Sequence, residues 1–199
     1  MKKTIGFVRT FIPADLFKKE YALGGLTIYH IDEQLNAEMN AYECWECSVR
    51  SSEHTQDDVM AAFAEFKAKL ATSELATAKA QKIAEIDAYD TSDAVNSFIL
   101  NGERVWLDFE LRDRVYQGNE RLQRIGRTDT TLWLGNHCFN LSIEQAQNII
   151  SHIEAYAKDC YNVTAAHKKA VSELMSIEEV EKYDITAGYP EKLEITTYD

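Results

Sequence analysis

Two segments of the chain share one pattern, and this pattern restricts the fold more than any other feature of the sequence. Residues 100–110 read LNGERVWLDFE and residues 134–144 read LGNHCFNLSIE. Each has an apolar residue, a pair built from Asn and Gly, a short apolar run, and then a leucine followed by a capping residue. Such a pair tolerates positive φ and predicts a tight hairpin turn, while Asp108 and Ser142 predict helix N-caps. We therefore expect two strand–turn–strand–helix units, over residues 98–125 and 132–160, unless the likeness is a coincidence.

Two such units predict a particular architecture. Each hairpin alone would expose one face, so pairing them builds a four-stranded antiparallel layer that two helices cover. Aligning the copies predicts that four residues share one face of this layer: Ile99, Val105, Trp133 and Phe139. The first helix is expected to cover it with Leu111, Val115, Gly118, Leu122 and Ile125. The second helix is expected to use Ala146, Ile149, Ile150, Ile153, Ala157 and Cys160.

The first half of the chain has a different organisation. The segments TIGFVRTFIP, LTIYHI and AYECWECSVR are candidate strands. Thr55 with Asp58 forms a capping-box variant that opens an Ala-rich helix to about Tyr89. We expect this helix to pack against the long helix that begins at Ser142, or against its own copy in an oligomer. The sequence thus predicts an α+β fold with three parts: a β-rich module at 1–54, a connecting helix at 55–89, and an α+β domain at 90–199.

The charge and the cysteines exclude several classes of protein. The formal net charge is −12, whereas nucleic-acid-binding surfaces usually cluster excess lysine and arginine. An anionic membrane would repel such a chain, and no run of 18 apolar residues is present. Four cysteines are too few for a disulfide scaffold. We expect an intracellular protein without nucleic-acid or membrane partners.

The sequence contains no legible catalytic, cofactor or metal motif. Cys44 and Cys47 form a CxxC, but the context predicts a strand, where this spacing sends the two thiols to opposite faces. A zinc site would need a second pair at matching spacing, and Cys138 and Cys160 do not supply one. The five histidines form no HExxH pattern, and the glycines form no phosphate-binding loop. We therefore predict a protein that is not an enzyme and has no cofactor or bound metal.

Four aromatic residues are the candidates for a partner-binding surface. They are Trp106, Trp133, Tyr183 and Tyr189. Tryptophan and tyrosine combine a large apolar area with a polar group, which suits them to interfaces. The alternative is that these rings belong to the core or its rim.

The second half of the chain resembles a known family. The segments IDAYDTSDAVNSFILNG, VWLD, TTLWLG, CYNVTAAHKKAV and EEVEKYDITAGYPEKL carry the resemblance. They look like domain-of-unknown-function family 4376 of bacteria and phages, over about residues 85–199. The resemblance implies a phage- or prophage-derived structural or assembly protein associated with the tail. Such a protein would be cytoplasmic in the host or virion-associated, with tail-fibre or other phage structural proteins as partners. It carries over no enzymatic residue.

Two functions are therefore expected. The first is a non-enzymatic structural or assembly protein that acts through protein–protein interaction and is oligomeric. The alternative is a small-molecule or carbohydrate-binding protein, or a hydrolase with an unrecognised site. Exposed apolar stripes on the helices would favour the first function. A concave site of several hundred Å³, lined by aromatic rings and carboxylates, would favour the second.

Overall fold

The computed structural model describes residues 4–134 and 137–196 and contains two compact units, Met1–Glu74 and Leu75–Asp199. The division falls inside one continuous helix, α1 (Gln56–Asp90). The first half of this helix belongs to the first unit and the second half to the second unit. The α+β class predicted from the sequence is confirmed, since both units combine helices with antiparallel strands.

The first unit is a four-stranded antiparallel sheet with the start of α1. The strands are β1 (Val8–Pro13), β2 (Glu20–Leu23), β3 (Leu26–Asn36) and β4 (Ala41–Val49), in the order β1-β4-β3-β2. The sequence did not predict β2, a short, largely exposed edge strand. It pairs with β3 through a two-residue turn at Gly24 and Gly25, whose φ values of 60° and 82° suit glycine.

Helix α1 begins as its capping box predicts. The Asp58 N–H donates to Thr55 Oγ1 at 3.2 Å, and the Thr55 N–H donates to the Asp58 carboxylate at 2.9 Å. The first turns then place Val59 and Phe63 against Ile31, Cys47 and Val49 of the sheet. Apolar residues at helical spacing meeting one face of a sheet form the core of this unit.

The second unit contains both predicted hairpin–helix units. Its elements after α1 are β5 (Phe98–Leu100), β6 (Glu103–Val105), α2 (Phe109–Arg124), β7 (Asp129–Leu134), β8 (His137–Ser142), α3 (Ile143–Glu173), α4 (Ile177–Lys182) and β9 (Glu194–Ile195). The β5–β6 turn is confirmed, because Asn101 and Gly102 have φ values of 49° and 87°. The corresponding pair at 135–136 lies outside the described residues.

The prediction that both hairpins form one four-stranded layer is wrong. Strands β5 and β6 belong to one sheet, and β7 and β8 form a separate two-stranded sheet. The third strand of the first sheet is β9, which pairs in parallel with β5. The two hairpins instead share a core: Phe98 and Leu100 of the first cluster with Leu132 and Leu134 of the second.

The prediction that Ile99, Val105, Trp133 and Phe139 lie on one face is also wrong. Phe98 lies opposite Val105, and Leu132 lies opposite Phe139. Cross-strand partners point to the same side of a sheet, so Val105 and Phe139 lie on the core side. Trp133 lies on the other side of its hairpin and is 60% exposed. Aligning the two copies residue by residue did not take the hairpin register into account.

In α2 and α3, the buried residues match the predicted inward-facing residues to different degrees. In α3, the buried residues include Ala146, Ile149, Ile150, Ile153 and Cys160, as predicted. In α2, Leu111 and Ile125 are exposed, and the buried residues are Arg112 and Asn119. The inner face of α2 is therefore more polar than the sequence pattern indicated.

In the second unit α1 contacts α3, the first of the two partners predicted for it. Lys79 Nζ donates to the Ser172 carbonyl at 2.7 Å, and Thr164 Oγ1 donates to Asp90 Oδ1 at 2.6 Å. From Lys79 to Asp90 along α1, the contacted residue on α3 moves back from Ser172 to Thr164, so the two helices are antiparallel here.

Candidate functional site

A groove lies between α2 and α3 in the second unit. Helix α2 starts at its N-cap Asp108, which accepts the Leu111 N–H at 2.8 Å. Positions three, four and seven apart lie on one face of a helix, so this start fixes which residues of α2 line the groove. A cavity of about 410 Å³ lies there, lined by Phe109, Arg112, Asp113, Tyr116, Ile150, Ser151 and Glu154.

A second cavity continues the groove at the N-terminal end of α2. It has a volume of about 250 Å³ and shares Phe109 and Arg112 with the first. Its other lining residues are Asp90, Asn96, Trp106, Asp108, Ala157, Cys160 and Tyr161. The two cavities together form one groove, which we call the α2–α3 groove.

Arg112 lies at the base of the α2–α3 groove. Its side chain is 7% exposed, and its Nε–H donates to Glu154 Oε2 at 2.6 Å. Its Nη1–H donates to the Leu107 carbonyl at 2.6 Å, and the guanidinium lies 5.4 Å from the centroid of the Trp106 ring. A buried arginine requires this kind of neutralisation, because an unpaired charge in the interior is costly.

The charged side chains that line the α2–α3 groove are mostly acidic. Among the described residues of the two linings, four are carboxylates and Arg112 is the one cation: the acids are Asp90, Asp108, Asp113 and Glu154. Since Glu154 already neutralises Arg112, the other three acids leave an excess of negative charge. Among the described residues, Asp113 forms no ion pair.

Exposed aromatic rings border the groove. Phe109 is 65% exposed, Tyr161 is 68% exposed and Tyr116 is 36% exposed. Large apolar side chains grouped on a surface mark binding sites more often than scattered ones do. The groove therefore combines apolar contact area with negative charge.

The four aromatic residues predicted from the sequence do not form one surface. Trp106 is half-buried and borders the groove beside Arg112. Trp133 is exposed on β7, and no ring contact among the described residues joins it to the other three. Tyr183 and Tyr189 both lie against His167 of α3.

Tyr183 holds the C-terminal segment to α3 through His167. The His167 Nε2 lies 2.8 Å from the Ala187 carbonyl, which can only accept, so Nε2 carries a proton. In the neutral ring Nδ1 then accepts the Tyr183 hydroxyl at 2.8 Å. Both ring nitrogens are thus used within the chain, which leaves neither for a ligand.

Tyr189 joins the same segment to both long helices. Thr164 donates to Asp90 at 2.6 Å, so the Tyr189 hydroxyl donates to Thr164 Oγ1 at 2.8 Å. Its ring packs edge-on against Tyr89, with the centroids 5.4 Å apart. Burial raises the pKa of the Tyr189 hydroxyl. Three of the segments that carry the family resemblance therefore meet here, around residues 89–90, 164–167 and 183–189.

The thiols have the surroundings of structural cysteines. Cys44 and Cys47 lie on β4, as predicted, and both are buried. Cys47 belongs to the core of the first unit, and burial raises the pKa of its thiol to about 11. A thiol with a raised pKa is a poor nucleophile and a poor metal ligand at neutral pH.

No group of three or more His, Cys, Asp or Glu in residues 4–134 and 137–196 is arranged to hold a metal ion. No helix among these residues is long and apolar enough to cross a membrane.

Sequence reasoning missed the Arg112–Glu154 pair, whose two residues are 42 positions apart. The predicted inner stripe of α2 contained Leu111 and Val115 but not Arg112, so no signal in the sequence marked this arginine as buried. Comparison with protein-family models, curated proteins and solved structures finds no match to this chain. The resemblance to domain-of-unknown-function family 4376 therefore stays a prediction.

Proposed function

We propose that this chain is a non-enzymatic structural or assembly protein that binds a protein partner through the α2–α3 groove. The observation that carries this proposal is the pair of exposed aromatic rings that α2 presents to the groove. Phe109 and Tyr116 line the 410 Å³ cavity and are 65% and 36% exposed. Exposed apolar positions on a helix beside a concave groove are typical of protein-docking surfaces.

Association with a phage or prophage tail is part of the same proposal and is supported by the sequence resemblance alone. Tyr183 and Tyr189 lie in one of the segments that carry the resemblance, and they bind the C-terminal segment to α3. Their role in the fold leaves partner binding to other residues, and the groove offers the aromatic rings and the depth for it.

The alternative, a small-molecule or carbohydrate-binding protein or a hydrolase, also has an observation in its favour. The 410 Å³ cavity falls within the size range of ligand pockets, about 300–1,000 Å³, and it contains two aromatic rings and two carboxylates. One of these carboxylates, Glu154, is engaged with Arg112 at 2.6 Å. This engagement weakens the alternative, because a hydrolytic pair needs both acids free to exchange protons or attack.

Complex formation with proteins encoded beside its own gene tests the proposal. The chain is co-expressed with each neighbouring gene product, and complexes are measured by size-exclusion chromatography with light scattering. We expect one stable complex that Phe109→Ser abolishes. The matched control is Phe11→Ser, the same change at a 51% exposed position of the first unit.

Two results would contradict the proposal. One is the absence of any complex with the neighbouring gene products. The other is a complex that Phe11→Ser abolishes and Phe109→Ser leaves intact, because the partner would then bind the first unit.

A further inference from the structure

We infer that the α2–α3 groove receives a cationic, amphipathic helical segment of the partner protein. This inference rests on the proposed function and specifies the chemistry of the partner. The segment places an apolar side chain in the 410 Å³ cavity and a lysine or arginine against the acids of the groove.

The shape of the groove favours a helical segment. Its two walls are single faces of helices: Phe109, Arg112 and Tyr116 on α2 follow the spacing of one helical face. On α3, Ile150, Glu154, Ala157 and Tyr161 do the same. A groove between two helices is suited to the apolar stripe of a third, which presents anchors three, four and seven positions apart.

The charge of the groove selects a cation. Of the acids in the lining, Asp113 has no ion pair among the described residues, and Glu154 is 46% exposed beyond its bond to Arg112. A lysine or arginine of the docked segment can therefore pair with Asp113 while its aliphatic part packs on Tyr116. The face of an exposed ring such as Phe109 or Tyr161 also attracts a cation.

The net charge of the whole chain favours the same kind of partner. At −12, the chain attracts a basic protein and repels an acidic one, which raises the association rate with basic partners. A second copy of this chain carries the same net charge. We therefore assign the groove to a basic partner, and self-association is an outcome that the test separates.

The test uses two synthetic amphipathic peptides with one shared leucine pattern. They differ only in carrying lysine or glutamate at the polar positions. Binding to the full chain is measured by fluorescence anisotropy of the labelled peptides at low and high salt. We expect the lysine peptide to bind, the glutamate peptide not to bind, and added salt to weaken binding.

Variants locate the binding in the groove. We expect Asp113→Asn and Tyr116→Ala each to lower the affinity for the lysine peptide by about tenfold. The control is Asp159→Asn, an exposed acid of α3 that lines neither cavity, and it should leave the affinity unchanged. The reversed charge in Asp113→Lys should abolish binding of the lysine peptide and allow the glutamate peptide to bind.

Several results would overturn the inference. They are equal binding of both peptides, stronger binding of the glutamate peptide, binding of neither, or an equal effect of the Asp113 and Asp159 changes. Light scattering that shows the groove variants abolishing a dimer would assign the groove to a second copy instead. If a neighbouring gene product forms a complex that Phe109→Ser abolishes but Asp113→Lys does not, the proposed function stands and this inference fails.

Discussion

Replacing Arg112 by methionine tests whether the ion pair at the base of the groove supports the fold of the second unit. Methionine keeps most of the apolar stem and removes the guanidinium. The change takes away the donor to the Leu107 carbonyl, the partner of Glu154, and the cation over the Trp106 ring. These three losses differ in cost because their surroundings differ.

The carbonyl of Leu107 dominates the expected loss. Leu107 is 1% exposed, and a buried acceptor left without a donor costs about 1–3 kcal/mol. The cation–π contact adds about 0.5–1 kcal/mol. Glu154 is 46% exposed and regains water, so the lost ion pair itself adds little. We expect Arg112→Met to lower the free energy of unfolding by about 1.5–4 kcal/mol.

The matched control is Arg124→Met on the same helix. Arg124 lies 3.6 Å from Glu120, and the two side chains are 77% and 36% exposed. Pairs of this kind contribute about 0.3–0.5 kcal/mol. Both variants are measured by urea unfolding in a Trp45→Phe background, so that the fluorescence of Trp106 and Trp133 reports on the second unit. Equal losses in the two variants would refute the reasoning, because the buried arginine and its bond to the Leu107 carbonyl would then be no more stabilising than an exposed arginine.

The remaining predictions concern the fold. Gly102→Val is expected to cost about 1–3 kcal/mol, because Gly102 has a φ of 87°. Gly118→Ala, where an added Cβ meets nothing within 4 Å, should stabilise the fold by about 0.5–1 kcal/mol. Thermal melts compare the two variants, and similar shifts in melting temperature would contradict the role of Gly102 in the turn. With a thiol reagent, exposed Cys138 should react quickly and the three buried cysteines only on unfolding. Because the pKa of Cys47 rises from 9.0 to about 11, the unfolded chain loses this proton first as the pH rises. Between pH 9.0 and about 11, the free energy of unfolding of the wild-type chain should therefore fall relative to that of the Cys47→Ala variant. Parallel pH profiles of the two proteins would refute this. Tyr183→Phe removes the hydroxyl that binds His167 and should cost about 1 kcal/mol, which urea unfolding measures; no loss would show that the bond does not hold the segment.

The sequence predicted local structure well because local signals determine it. Asn101 and Gly102 form the predicted turn. Ser142 caps α3 with a full capping box, and α1 spans Gln56–Asp90 against a predicted helix at 55–89. Turn and cap preferences act over a few residues and can be read directly from the chain.

The arrangement of the strands and the groove could not be read in this way. The pairing of β9 with β5 joins residues that lie about a hundred positions apart, and two residues of extended chain give almost no sequence signal. The inner face of α2 was predicted wrongly because Arg112 is buried although it is charged. Its bonds to Glu154 and to the Leu107 carbonyl make this burial possible. Periodicity marks apolar positions and does not identify a paired charge at an inward position.

The most direct test of the α2–α3 groove as the partner site is an NMR titration of the full chain with the lysine peptide. Backbone amide shifts report where the peptide binds without relying on any variant. We predict that the largest changes lie in α2 from Phe109 to Tyr116 and in α3 from Ile150 to Tyr161, the residues that line the groove. Changes concentrated in the unit Met1–Glu74, or no changes at all, would contradict the account.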